Sequence, residues 1–304
     1  GREDTSSYYS STVKPRRRSH RHSWHCVKAC TTSIMADCLA TSAGQPTSIQ
    51  RVCIVTGGSR GIGKAICELL AAQSTDVCVN YISLTSKPLA EQVVANVVAA
   101  GRRAIAVQAD VSNPSDVIKL FDATEAQLGP VTSLVNNAAI IGSRSNLQET
   151  TLEDLQRVVQ VNVYGPFLCT KEFVKRVTAF HSARSSVVEG RGAIVNISSG
   201  SAFLGRPLAY AMSEGALNSF SAGSVDELAA LGIRLNSVSP GLTKTEMVSD
   251  ELIDQHKNAI PMRRAADPKE IASVVGFLLS DAASFVSGGN LRVAGGRKMG
   301  SGAQ

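Results

Sequence analysis

This chain has no apolar run long enough to cross a bilayer, so a helical membrane span is excluded. Aromatic residues are scarce, at 5% with a single Trp, and charged residues reach only 18%. Low charge beside 43% hydrophobic residues excludes a chain disordered throughout, and 304 residues leave room for a sizeable core. No internal repeat is visible, which excludes a solenoid. Most of the chain also lacks a surplus of either charge. The net +6 sits largely in residues 1–48, where seven Lys and Arg face three acids. With the basicity outside the folded part, a nucleic-acid partner is not expected, and neither is a membrane.

Cysteine usage excludes more. The seven thiols are scattered, and Cys53, Cys67, Cys78 and Cys169 fall in apolar segments, where a thiol acts as a small core hydrophobe. That argues against a disulfide framework and for a reducing compartment, so a cytoplasmic location is expected. Cys26 and Cys30, with His20, His22 and His25 nearby, match no recurrent zinc spacing, and no metal site is expected. Residues 1–48 show neither a helix nor a strand period and are expected to form a disordered basic tail. The chain opens on Gly1 rather than Met. The tail reads equally as an organelle-targeting segment, a cloning remnant, or untranslated sequence ahead of a start at Met35.

The pattern changes at Arg51. RVCIVT reads as a buried strand, and GGSRGIG turns the chain into a helix over Ile62 to Ala72. DVCVNYI is a second strand, followed by a helix whose Leu89, Val93 and Val97 share a face. AIAVQAD is a third. Asn113 then caps a helix with Pro114 in its first turn and Val117, Leu120, Phe121, Thr124 and Leu128 as its buried stripe. VTSLVNN is a fourth strand. Thr150 and Glu153 suggest a capping box opening one long helix from Leu152 to about Ala179.

A fifth strand from Ala193 leads through Ser198 and Ser199 and a Gly/Pro loop into a helix opening near Tyr210 and reaching Leu231. IRLNSVS is a sixth strand, residues 243–260 read as an irregular polar lid, and Asp267, Pro268 and Glu270 open another helix before a last strand, NLRVAGG. This alternation predicts an α/β fold with a single doubly wound parallel sheet and helices on both faces. One domain is expected over residues 49–298, with 299–304 a short tail.

Thr56 to Gly63, TGGSRGIG, lies between a strand and a helix. A Gly-rich turn there lets the backbone approach a pyrophosphate, and the helix N-terminus supplies free N–H groups. The spacing is G-x-x-x-G-x-G rather than G-x-G-x-x-G. In order after it come AD-V at 109–111, NNAA at 136–139, VNVYG at 161–165, NISS at 196–199, Tyr210 and SPG at 239–241. Together, over about Ile49 to Arg297, these residues resemble the short-chain dehydrogenase/reductase family.

The resemblance implies a Rossmann-like, dinucleotide-binding oxidoreductase acting on a small alcohol or carbonyl compound, assembled as a homo-oligomer, tetramer or dimer. By the same resemblance Gly57, Ser59, Arg60, Gly61, Ile62 and Gly63 bind cofactor and Asp110 and Val111 contact adenine. Asn136 to Ala139, with Asn137 and Ala138 foremost, line the nicotinamide side, and Pro240, Gly241, Thr243 and Thr245 hold the carboxamide and phosphates. Ala139 stands where the family more often has Gly. Members that use NAD usually carry an acid after the second strand to accept the ribose hydroxyls. This chain has Asn80, Tyr81, Ile82 and Ser83 there, and Arg60 is placed to pair with a 2′-phosphate. NADP(H) is therefore expected over NAD(H).

Reduction of a carbonyl needs a proton donor for the developing alkoxide, and a phenol serves if its pKa falls from about 10 toward neutrality. The resemblance assigns that role to Tyr210, with Ser199 orienting the substrate oxygen, Ser198 its neighbouring alternative, and Asn162 supporting a water relay. Apart from it, Ser199 fits a strand-end turn and Asn162 a helix-packing polar group. The family's Y-x-x-x-K reads Tyr210-Ala-Met-Ser-Glu214 here. A lysine lowers the phenol's pKa, whereas a carboxylate one helical turn away raises it. At about 4 Å and an effective dielectric near 20 the interaction is worth about 4 kcal/mol, several tenfold steps in rate. The leading reading is an oxidoreductase whose activity Glu214 can impair, the alternative an inactive nucleotide-binding subunit or sensor, while Glu214 as a mere solvated helix charge requires a differently arranged site. Lys171 and Lys175 are remote substitutes for the missing cation. The Ser199–Tyr210 loop also runs a couple of residues short of the family's usual spacing, which is expected to draw Tyr210 out of register.

Overall fold

The computed structural model describes residues 50–143, 146–182 and 192–298, which belong to one compact unit, Gln50–Gln304. The expectations for residues 1–48 and 299–304, with the Cys26/Cys30 tract and Met35, lie outside the described residues.

Short runs of Val, Ile, Leu and Cys suit strands covered on both faces. β1 (Val52–Val55), β2 (Asp76–Tyr81), β4 (Ser133–Asn136) and β5 (Gly192–Ile197) are buried at every position. With β3 (Ala104–Gln108), β6 (Ile233–Pro240) and β7 (Asn290–Val293) they form a seven-stranded sheet, order β3-β2-β1-β4-β5-β6-β7. Every pair is parallel, with Ile54 in register with both Cys78 and Leu134. The order reverses between β1 and β4, and the crevice outside the carboxyl ends of those strands is where such sheets bind ligands.

Helices cover both faces. On one, α1 (Gly61–Ala72), α2 (Lys87–Ala99) and α9 (Pro268–Leu279) supply Ile66, Leu70, Val93, Val97, Ile271 and Val275 to a common core. On the other, α3 (Pro114–Leu128) and α5 (Gly165–Ser182) supply Leu120, Phe121, Cys169 and Phe173. Asn113 caps α3, accepting from Ser115 N at 2.9 Å, and all five residues of its predicted stripe are buried. The stripe of α2 runs instead through Ala90, Val93 and Val97, leaving Leu89 46% exposed. The small Ala at this position lets the helix settle close on the sheet.

The predicted long helix is interrupted. α4 (Leu152–Val159) is capped by Thr151, not Thr150, whose hydroxyl accepts from Asp154 N at 3.1 Å. A π turn over Gln160–Tyr164 then leads into α5. Pro166 explains it: a helical proline has no N–H to donate and its ring clashes with the carbonyl four residues back, here that of Asn162. The wider turn relieves the clash, with Gly165 N–H bonded to Gln160 O. Residues 243–260 are likewise more regular than expected, because Ser249 caps α8 (Asp250–His256) by accepting from Leu252 N at 3.3 Å. A further short helix, α6 (Ser201–Leu204), precedes α7 (Leu208–Ala230). No helix among the described residues is long and apolar enough to cross a membrane.

Candidate active site

The site begins where β1 ends. Gly57 has a left-handed φ of +62°, and a Cβ there would lie 3.0 Å from Ala138 Cα. A Cβ on Gly63 would overlap Gly57 O and lie 2.6 Å from Asn137 Nδ2. Only glycine lets these three segments close on each other. Asn137 then locks them, its Nδ2 donating to Thr56 O at 2.8 Å and Gly57 O at 3.1 Å. Thr56, passed over as a candidate although it precedes the first Gly, accepts from Asn137 N and Ala138 N through its hydroxyl. The first turn of α1 holds no acid and no side-chain cap, so its N–H groups stay free for an anion. This backbone cradle, which a Cβ would fill, fits a dinucleotide pyrophosphate.

The segment after β6 closes the cradle from the other side. Thr245 lies against Gly61, where a Cβ would meet Thr245 Cγ2 at 3.3 Å. Pro240 and Thr243 are buried, and the Thr243 hydroxyl donates to Gly241 O at 3.1 Å. A cavity of about 650 Å³ lined by Gly61, Lys64, Lys244, Thr245 and Lys269 flanks this contact, but neither Ser199 nor Tyr210 lines it. Ser59 is buried, Ile62 packs partly into the core, and Arg60 is exposed at the mouth of the loop.

Several candidates serve as supports. Asn80 is 2% exposed, accepting from Gly57 N at 3.2 Å and donating to Ala109 O at 3.0 Å, so it braces the glycine loop against the end of β3. Tyr81 is buried in the core, and Ser83 caps the turn at Leu84–Ser86. These three positions were expected to face the cofactor's ribose. The side chains of Asn80 and Tyr81 are instead engaged by the backbone and the core, because β2 is a fully covered strand, and the half-buried Ser83 is engaged in its cap. Asp110 accepts from Ser112 N at 2.9 Å and from its hydroxyl at 2.7 Å, and Val111 is 4% exposed.

β5 delivers the serines. Ser199 lies beside the Tyr210 phenol and acts to lower its pKa, so the short connection still leaves the two close together. α6 takes up the slack: Gly200 N donates to Pro240 O at 2.8 Å and Ser201 N to the Ser199 hydroxyl at 3.0 Å. Asn162, in the π turn, is 2% exposed. Its Oδ1 accepts from Ile140 N at 2.9 Å, while Nδ2 donates to Ile140 O at 2.9 Å and to the Ser213 hydroxyl at 3.0 Å. Ser213, absent from the sequence candidates, donates in turn to Tyr210 O at 2.8 Å. Asn162 thus ties the segment after β4 to the helix carrying Tyr210.

The Ser198 hydroxyl donates to Glu214 O at 3.4 Å. Glu214 is 1% exposed, and its Oε2 has no hydrogen-bond partner among the described residues. Burial pushes its carboxyl up to about 8, offset only in part by the Ser198 hydroxyl. Tyr210 is held well above the ordinary phenol range by desolvation and then by the Glu214 charge, with the Ser199 hydroxyl acting against them. Neither proposed substitute cation reaches it. Lys171 is exposed, and Lys175 pairs with Glu172 at 3.6 Å.

Among the described residues no group of three or more His, Cys, Asp or Glu is placed to hold a metal ion. Cys53, Cys67, Cys78 and Cys169 are buried free thiols, and burial pushes Cys78 and Cys169 up to about 12, which leaves them unreactive.

Known proteins are similar to this chain over the same region. The family described as enoyl-(acyl carrier protein) reductase, adh_short_C2, matches residues 57–298. An uncharacterized oxidoreductase of Escherichia coli, YgfF, is 39% identical over 253 residues, 81% of this chain and 99% of its own length. A 3-oxoacyl-[acyl-carrier-protein] reductase of Synechocystis is 36% identical over 82% of this chain and 97% of its own. Among solved structures, a blue fluorescent protein from a metagenomic library, in complex with NADPH, superposes with a TM-score of 0.70 at 36% identity, over 81% of this chain and 97% of its own. The 3-ketoacyl-(acyl-carrier-protein) reductase of Brucella melitensis, complexed with NADH, gives 0.74 at 30% identity, over 81% of this chain and 98% of its own. With its glycine cradle at the switch point of a parallel sheet and a serine–tyrosine pair at the same edge, the chain belongs to the short-chain dehydrogenase/reductase family, oxidoreductases that act on CH–OH and C=O groups with a nicotinamide cofactor.

Proposed function

We propose that this chain is an NADP(H)-dependent oxidoreductase that interconverts a small carbonyl compound and its alcohol. The observation that carries the reading is the glycine cradle, with Ser199 after β5 and Tyr210 of α7 at the same edge of the sheet. The bound nicotinamide supplies or accepts the hydride. The free amides in the first turn of α1, Gly61 to Gly63, hold its pyrophosphate, Asp110 and Val111 border the adenine, and Asn137 and Ala138 with Pro240, Gly241, Thr243 and Thr245 border the nicotinamide half. Ser199 donates to the carbonyl oxygen and orients it toward Tyr210, which gives that oxygen its proton in reduction and removes it in oxidation. Asn162 is a positioning residue that fixes the helix carrying Tyr210.

The preference for NADP(H) rests on charge. The residues after β2 present no carboxylate to a ribose, and Arg60 is exposed without an ion pair among the described residues. A guanidinium there pairs with a 2′-phosphate through charge-assisted hydrogen bonds. The test is the affinity of the full chain for NADPH and NADH before and after Arg60→Glu. NADPH binding is expected to weaken by about tenfold or more while NADH binding holds, a difference of about 1.4 kcal/mol. Equal affinities in the unmodified chain would overturn the preference. A homo-oligomer, dimer or tetramer, is part of the same proposal, supported by the edge of β7 that no strand pairs among the described residues. Light scattering giving the 31.9 kDa mass of a monomer would reject it. The buried free thiols suit a reducing compartment.

A further inference from the structure

Glu214 is a buried acid that the proposed reaction does not use. It sits one helical turn after Tyr210 on α7, so the two side chains share a face. Its Oε2 is buried and unpartnered, one helical turn from the phenol. Among the described residues nothing positive compensates it. Around it stand Tyr210 on its own helix and the hydroxyl of Ser198 from the end of β5. The cations of the elements packed on α7 are occupied or exposed. Arg234 of β6 donates to Leu278 O at 2.6 Å and Arg176 of α5 binds Glu172, Glu125 and Asp122. Lys175 pairs with Glu172, and Arg157 and Lys171 face solvent. A phenolate formed at Tyr210 would therefore have no cation beside it among the described residues, and it would sit next to a second acid. Two anions cannot share such a site, so the loss of one proton must draw on the other.

We propose that Glu214 is the proton reserve of Tyr210, returning a proton to the phenolate as the phenol gives its own to the carbonyl oxygen. This rests on the reading of Tyr210 as the proton-transferring group. In reduction the carbonyl carbon gains a hydride from reduced nicotinamide, which is thereby oxidised, and the C=O π pair moves to oxygen. That oxygen takes the Tyr210 proton, Tyr210 takes the Glu214 carboxyl proton across one turn of helix, directly or by a one-water relay, and Glu214 recovers its proton from solvent. Oxidation runs the same transfers backward. Burial keeps the carboxyl protonated up to about pH 8, so the reserve is charged at neutral pH and lost above it.

The experiment combines single-turnover reduction of acetoacetyl-CoA, benzaldehyde and diacetyl by NADPH with an ultraviolet difference titration of tyrosine, on the full chain and on Glu214→Gln, Glu214→Lys and Tyr210→Phe. The unmodified chain is expected to lose about tenfold in rate per pH unit above about pH 8. Glu214→Gln is expected to be slower by tenfold or more below pH 8, with that break removed. In the titration it lowers the midpoint at which the phenol ionises, since a like charge has been taken away, a change that a purely structural role would not produce. A Glu214→Gln chain with unchanged rate, pH break and phenol titration would overturn the proposal and leave the oxidoreductase reading standing. So would an unmodified chain that binds NADPH but turns over only as Glu214→Lys, which would make the acid a lesion. Tyr210→Phe with full rate would overturn both, as would a chain that binds no NADPH.

Discussion

A carboxyl with 1% of its surface exposed and one oxygen unpaired is costly to ionise, and the cost appears in folding as well as in chemistry. In the unfolded chain Glu214 loses its proton near 4.5, whereas folded it keeps it to about 8. The folded state therefore binds the proton more tightly. Stability from this group is complete below the unfolded value, declines as pH rises through the window between the two, and is level beyond it, at about 1.4 kcal/mol per pH unit within the window. Glu214→Gln cannot ionise and is expected to lack that slope. Urea unfolding of both chains at pH 5, 6.5 and 8 checks this: the unmodified chain should lose ground to the variant at each step. Parallel curves would mean that Glu214 is ionised in the fold. The i,i+4 relation of Tyr210 and Glu214 was legible in the sequence because helix geometry dictates it. That Ser199 faces the phenol while Ser198 faces the Glu214 main chain was not, since it depends on how β5 meets α7.

The elements themselves were legible wherever local chemistry sets them. Asn113 and Pro114 start α3, and its stripe repeats at the helical period, so a single segment suffices to place it. Asp267 and Glu270 start α9 in the same way, through a reciprocal capping box. The π turn was missed because periodicity carried straight through it, although Gly165-Pro166 marked the place. The inward face of α2 was missed because it depends on which residue, Leu89 or the smaller Ala90, the sheet can admit. The π turn also positions the site, since Asn162 holds Ile140 and Ser213 from within it. Pro166→Ala restores an N–H and removes the ring clash, so an ordinary helical turn becomes available and Asn162 swings off its partners. Turnover is expected to fall by about tenfold or more, as misplacement near reacting groups does, while the free energy of unfolding holds or rises. Activity that survives the substitution would show that the π turn is not what places Asn162.

At the scale of the whole molecule, the residues of the site come from the ends of β1, β4, β5 and β6, from the π turn and from α7, and meet only because the sheet is ordered β3-β2-β1-β4-β5-β6-β7. The alternation of strands and helices was enough to infer a parallel sheet, but not that β4 would pair with β1, because helical crossovers reach either side. A ligand seated in a cradle built from such distant segments binds the folded chain and not the unfolded one. NADPH at 100 times its dissociation constant should therefore raise the free energy of unfolding by about 2.7 kcal/mol. Gly63 tests whether the cradle is the seat. An added Cβ would overlap Gly57 O and crowd Asn137 Nδ2, so the loop must open and the amides at the start of α1 lose their common aim. Gly63→Ala should melt modestly lower than the unmodified chain without ligand and show almost none of the NADPH-induced rise. Thermal unfolding of the two chains, each with and without NADPH, separates the effects. A rise of the same size in both chains would place the cofactor away from the glycine loop.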